Sequence, residues 1–167
     1  MEYRTFETIL VELHAIGPEG LAAFRSRLRN LRDIGVPDVR KPGKGARVTY
    51  RLEDLFEAHL GLNLEQFGLP PQRVKTVIEG VRAKWLLHGL APQNPLVDPW
   101  LCVTFFRVAE GRADGNYRMQ IRIKPLEYCI HEIAELEAKF ERATIFGLVN
   151  LARLTREILD RWYAITE

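Results

Sequence analysis

The side chains with the most evident chemistry lie between residues 25 and 51: Arg25, Ser26, Arg27, Arg29, Asn30 and Arg32, then Arg40, Lys41, Lys44, Arg47 and Arg51. Cations of this kind neutralise phosphates and release counterions, which gives affinity that falls steeply with salt. Arginine can also hold guanine N7 and O6 through two parallel bonds, and asparagine can hold adenine N6 and N7 in the same way. The charge is local. Residues 25 to 51 carry nine bases and two acids, net +7, whereas residues 1 to 24 sum to −3 and residues 52 to 167 to −2. A chain of formal net charge +2 therefore concentrates its positive field in one short segment, the asymmetry that attracts a polyanion.

Catalytic chemistry is poorly represented. The sequence holds no GxSxG, HExxH, P-loop or GxGxxG. Its four histidines, His14, His59, His88 and His131, are far apart in sequence, and only His131 has helix-spaced acids, Glu127 and Glu135. A surface histidine between two acids is commoner than a metal site, so the reading is no enzyme, no cofactor and no metal. Cys102 and Cys129 form no CxxC and are expected as reduced thiols. No apolar run nears the roughly 20 residues that span a bilayer, and MEYRTFE lacks the basic and apolar regions of a secretory signal. The expectation is a cytoplasmic protein with no membrane partner and no evident small-molecule ligand.

The elements that must position the basic residues follow from periodicity. Phe6, Ile9, Leu10, Leu13 and Ile16 recur at helical spacing and predict a first helix, broken at Gly17-Pro18. A second helix is predicted over 18–34, closed by Gly35 with Pro37 beyond it. Along it Leu21, Phe24, Leu28 and Leu31 make one apolar stripe; Ala22, Ala23, Ser26, Arg27, Arg29 and Asn30 are assigned to the face away from it, with Arg25 and Arg32 on its flank. Next comes RKPGKGARVTYRLEDL (40–55), a Gly- and Lys-rich tip followed by alternating residues, which predicts a small β-hairpin over 39–51. Gly43 and Gly45 would let its tip approach a backbone closely. Helices are predicted over 52–66, with Leu55, Phe56, Leu60, Leu62 and Phe67 inward, and from Gln72 to His88, with Val74, Val77, Ile78, Val81 and Trp85 inward.

Two short helices, the second basic, then a basic hairpin and two more helices describe a winged helix-turn-helix. The stretches RLRNLRDIGV (27–36), ARVTYRLEDL (46–55) and FGLPPQRV (67–74) resemble, in type and mutual spacing, the DNA-binding domain of the MerR family of transcription regulators. The resemblance covers about residues 5–80. It implies a recognition helix over 18–34 that enters the major groove and a wing over 39–51 that grips flanking backbone. The paired aromatics usual in the family's recognition helix are replaced here by Arg29-Asn30-Leu31. Neither the family's long dimerising coiled coil nor its metal-sensing cysteine cluster follows, so effector sensing is not carried over.

The prolines of APQNPLVDP predict a linker over 91–99, dividing a DNA-binding domain over 1–90 from a dimerisation or partner-binding module over 100–167. In the latter, WLCVTFFRV and YRMQIRIK predict a hairpin with one basic, wet face, and a helix should follow from Leu126 to Phe140. ATIFGLVNL fits either a third strand or the start of a helix, and Asn150 caps a last helix with Leu151, Leu154, Ile158 and Trp162 on one side. The fold class is α+β. The expected function is sequence-specific binding of double-stranded DNA by a homodimeric transcription regulator. The alternatives are an architectural or excisionase-like DNA-bending factor, or a module that docks an acidic protein.

Overall fold

A computed structural model describes residues 1–39, 47–88, 99–107, 117–139 and 143–166. It is an α+β fold. The described residues form six α-helices, one 3-10 turn and a three-stranded antiparallel sheet. Contacts divide the chain into two compact units, Met1–Leu86 with Leu154–Glu167, and Leu87–Arg153.

The first unit holds α1 (Tyr3–Leu13), the 3-10 turn Pro18–Gly20, α2 (Leu21–Asp33), α3 (Leu52–Gln66) and α4 (Pro71–His88). The expected helix over 18–34 is thus a 3-10 turn followed by a shorter α-helix. Gly17 and Pro18 open the turn, where the missing proline N–H costs nothing. Three helices end alike. After α2 the Gly35 N–H reaches the Arg32 carbonyl and the Val36 N–H the Leu31 carbonyl; after α3 Gly68 and Leu69 repeat the pattern on Glu65 and Leu64. Both glycines sit at φ +85°, where an L side chain is strained. After α1 Ala15 takes the same role at φ 49°.

The core of this unit is built round α3, which is apolar on nearly every side. Leu55, Phe56, Ala58, Leu60, Leu62 and Leu64 are all buried. Phe6, Ile9 and Leu10 of α1, Phe24, Leu28 and Leu31 of α2, and Val74, Val77, Ile78 and Val81 of α4 complete it. Each of the larger side chains contributes about 1.5–3 kcal/mol on leaving water. Close packing explains Gly61: a Cβ there would lie 3.2 Å from Val36 Cγ1 and 3.4 Å from Leu31 Cδ1. Phe67, expected inward, is 51% exposed, because α3 ends at Gln66 and the chain turns at Gly68.

The second unit contains β1 (Pro99–Arg107), β2 (Tyr117–Pro125), α5 (Leu126–Lys139) and β3 (Ala143–Asn150). The order β2-β1-β3 places β1 in the centre. The expected hairpin is present, with Cys102 opposite Arg122 and Val103 opposite Ile121. The ambiguous run becomes the third strand, pairing Cys102 with Leu148. Leu101, Cys102 and Val103 are successive and all buried, so both faces of the central strand are covered. Both cysteines are free, buried thiols. Asn150 caps α6 (Leu151–Thr166), its Oδ1 accepting the Arg153 N–H at 2.7 Å.

The expected module over 100–167 is therefore redrawn at its C-terminal end. Residues from Leu154 onward group with the N-terminal helices, where Leu154 and Ile158 are buried and Arg161 pairs with Glu12 of α1 at 3.2 Å. Of the expected linker, residues 91–98 lie outside the described residues, and Pro99 already belongs to β1.

Candidate nucleic-acid interface

The apolar stripe of α2 faces inward, and this fixes what the helix shows to solvent. Ala22, Ala23, Arg25, Ser26, Arg29, Asn30 and Arg32 are exposed. The side chains of Ser26, Arg29 and Asn30 have no hydrogen-bond or ion-pair partner among the described residues. Three polar side chains of differing length are thus free to meet an external surface.

The other predicted residues are engaged to differing degrees. Arg25 is bound by Glu7 of α1, Nη2 to Oε1 at 2.7 Å, a contact that raises its pKa. Arg32 lies over the ring of Tyr3 at 4.8 Å and near that of Tyr50 at 6.0 Å, so its planar group is held against two aromatics yet stays exposed. Phe6 stacks on Tyr50 at 4.1 Å and completes this cluster.

Arg27 departs from its expected role. At about 100° per residue it lies only about 40° from the direction of Leu31, on the flank of the apolar stripe. There it reaches across to α3, donating from Nη2 to the Leu62 carbonyl at 3.0 Å and from Nε to Glu65 at 3.2 Å. It fastens α2 to α3 and is not free to read a base.

The expected wing is seen in part. Arg40, Lys41 and Lys44 lie outside the described residues. The residues before Tyr50 and Tyr50 itself, 47–50, form no strand of a ladder, and the backbone partner of Tyr50 is Met1: each N donates to the other's carbonyl, at 2.9 and 2.6 Å. An alternating pattern marks a strand only where a neighbour supplies the pairing, and of the expected first strand near Val39 to Lys41 residues 40 and 41 lie outside the described residues. Arg47, 88% exposed, pairs with Glu2 at 3.1 Å, a contact that water screens heavily. Arg51 precedes α3; its N–H donates to Asp54 Oδ2 at 2.7 Å while its guanidinium stays largely exposed, 3.9 Å from the same oxygen.

No protein-family model matches the chain, and no curated protein matches its sequence.

A second polar group escaped the sequence reading. His14 and His59, 45 residues apart, meet at 2.9 Å between His14 Nε2 and His59 Nδ1. Gln66 Nε2 lies 3.2 Å from His14 Nδ1. If that amide donates, His14 carries its proton on Nε2 and donates to His59, which carries its own on Nε2, 3.8 Å from Glu157 Oε2 of α6. Asn63 holds the arrangement from α3, donating to the His59 carbonyl at 2.8 Å. Burial first, then the neighbouring His59 and Arg27, lowers the pKa of His14 to about 3; burial lowers that of His59 to about 4. Both rings are neutral at neutral pH. The signal in the sequence was His59 itself, a polar residue inside the apolar run of α3 that must find a partner. Elsewhere His131 pairs with Glu135 at 3.2 Å in the open, and the described residues contain no group of three His, Cys, Asp or Glu able to hold a metal ion.

Proposed function

We propose that this chain binds double-stranded DNA sequence-specifically, as a cytoplasmic transcription regulator of MerR-like winged helix-turn-helix type acting as a homodimer. Ser26, Arg29 and Asn30 of α2 read base edges; Arg25 and Arg32 on the flank, with Arg40, Lys41, Lys44, Arg47 and Arg51 of the basic segment, hold phosphates. The observation that carries the reading is the division of α2: Phe24, Leu28 and Leu31 are buried, while Ser26, Arg29 and Asn30 are exposed and unpartnered among the described residues. A helix seated by one side on a rigid partner and bare on the other, with both an arginine and an asparagine there, suits insertion into a major groove. One such helix spans few base pairs, and a symmetric dimer is the usual way to double the site. The reading asks for no catalytic group, cofactor or metal. Among the described residues no helix is long and apolar enough to cross a membrane.

The test is a titration of labelled duplex, a site selected from a random pool against random sequence, at two salt concentrations. Arg29→Ala should weaken the selected site by about 5- to 150-fold more than random duplex, the effect of about 1–3 kcal/mol expected for a two-pronged base contact. Lys44→Ala should weaken both duplexes alike and lower the slope of log affinity against log salt by about 0.9. Absence of binding at low salt, or equal effects from both substitutions, defeats the reading. The first of those results would point to an acidic protein as the partner.

A further inference from the structure

The arginines of α2 differ in how their donors are used. Arg25 gives Nε and Nη2 to Glu7 at 2.8 and 2.7 Å, and Arg27 gives Nε to Glu65 and Nη2 to the Leu62 carbonyl. Arg29 keeps its donors, but no contact among the described residues directs its side chain. Arg32 combines the two conditions. It is exposed and meets no carboxylate or carbonyl among the described residues, yet its Cζ lies 4.8 Å from the centroid of the Tyr3 ring and 6.0 Å from that of Tyr50.

An aromatic face attracts the charge of a guanidinium but offers it no oxygen lone pair, so the N–H donors stay available for another acceptor. A carboxylate partner would hold the group by consuming those donors. The aromatic platform is itself fixed. Tyr50 is 1% exposed and stacks on Phe6 of α1 with centroids 4.1 Å apart; Tyr3, one turn before Phe6, packs against both, at 6.4 Å from Phe6 and 6.0 Å from Tyr50. Around α2, Arg32 lies about 60° from Arg29 and one turn further on, at the edge of the exposed face. Sugar–phosphate backbone passes such an edge when the face beside it enters a groove. A long cation ordered in advance also loses less rotamer freedom on binding.

We propose that Tyr3 and Tyr50 are positioning residues for Arg32: their rings hold its guanidinium toward a phosphate beside the groove that α2 enters, so that α1 contributes to DNA affinity through Arg32. This role rests on the DNA-binding reading. It adds affinity on every sequence and leaves base recognition to Ser26, Arg29 and Asn30.

Duplex titration of the full chain and of Tyr3→Leu, Tyr3→Phe, Arg32→Ala and Arg32→Lys tests the role, with urea unfolding to show that each variant is folded. Tyr3→Leu should bind selected and random duplex about two- to tenfold more weakly, the effect of leaving one long side chain to be ordered on binding. Its slope of log affinity against log salt should stay the same, because the same cations are neutralised, whereas Arg32→Ala should lower that slope by about 0.9. Tyr3→Phe keeps the ring and should bind like the unaltered chain. The deciding comparison is Tyr3→Leu combined with Arg32→Ala, which should bind no more weakly than Arg32→Ala alone, since a residue acting through Arg32 then has nothing to act on. Unchanged affinity in Tyr3→Leu overturns the proposal, and so does a loss that persists undiminished without Arg32, which would make Tyr3 a packing residue only. Should Tyr3→Leu fail to fold, Arg32→Lys carries the test, since it keeps the charge and the platform but not the delocalised planar group. A fall at constant slope then supports the proposal, and full affinity overturns it. If the unaltered chain binds no duplex at low salt, the DNA-binding reading has itself failed and this role falls with it, a result distinct from any effect of Tyr3.

Discussion

Acidification should destabilise this protein through the His14–His59 pair well before its carboxylates titrate. Both rings are neutral when folded, with pKa values of about 3 and about 4, whereas in the unfolded chain each returns to about 6.5. Between those values the unfolded state binds more protons, so stability is retained above about pH 6.5 and lost as pH falls below it. From pH 7.5 to 5.5 each histidine costs about 1.4 kcal/mol, and the pair about 2.7 kcal/mol. That figure needs only that both rings stay neutral in the folded state over the interval. Asp54 and Glu65, whose carboxyls are pushed up by burial, act in the opposite direction at lower pH. Urea unfolding at pH 7.5 and 5.5, on the unaltered chain and on His14→Gln/His59→Gln, isolates the effect. The expected difference in pH dependence between the two proteins is about 2.7 kcal/mol. A difference under about 0.5 kcal/mol would mean that the rings are protonated in the folded protein, and the network from Gln66 to Glu157 would be wrong; about 1.4 kcal/mol would leave one neutral ring.

Other changes test the elements that present the interface. On the proposed DNA binding, Glu7→Gln relieves Arg25 of a competing carboxylate, so affinity for random duplex should rise in a duplex titration, and unchanged or lower affinity would remove Arg25 from the phosphate-holding set. Gly35→Ala forces a Cβ into the left-handed region at the end of α2 and should cost about 1 kcal/mol in urea unfolding, whereas Ala15→Gly at the end of α1 should shift stability the other way by a smaller amount. Asn150→Ala removes the cap of α6 and should cost about 1 kcal/mol by the same measurement.

What could be read from the sequence was whatever periodicity and capping decide locally. The helix over 52–66 was legible to the residue because Arg51 precedes an acidic first turn and Gly68 follows the last one. The outward set on α2 was legible for Ser26, Arg29 and Asn30 because their neighbours form a single apolar stripe. Arg27 was misplaced by a coarse division of the helix into two faces. A residue on the flank goes wherever the adjoining helix offers an acceptor, and that choice depends on Glu65 and Leu62, 38 and 35 residues away. The C-terminal helix posed the same difficulty: its own pattern showed an apolar side at Leu154 and Ile158 but not which unit would cover it.

The polar residues of α3 point to a more general rule for a chain of this kind. A helix apolar on almost every side that still carries Asp54, Glu57 and His59 must find partners for each, since an unpaired buried charge costs several kcal/mol. Those partners come from four separate places: the Arg51 amide, Arg82 with the Asp38 amide, His14, and Glu157 beside His59. Two of them, the Arg51 and Asp38 amides, are the ends of the basic segment itself. The same helix that supplies the core therefore also sets the register of what surrounds it. Replacing Glu57 and Arg82 together by apolar residues of similar size removes the cost of burying the pair, whereas replacing Arg82 alone leaves Glu57 buried and without its charged partner. For Glu57→Met combined with Arg82→Met, urea unfolding should show little change, while Arg82→Met alone should cost about 3 kcal/mol or more; equal losses from the two would mean that Glu57 does not depend on Arg82 for its burial.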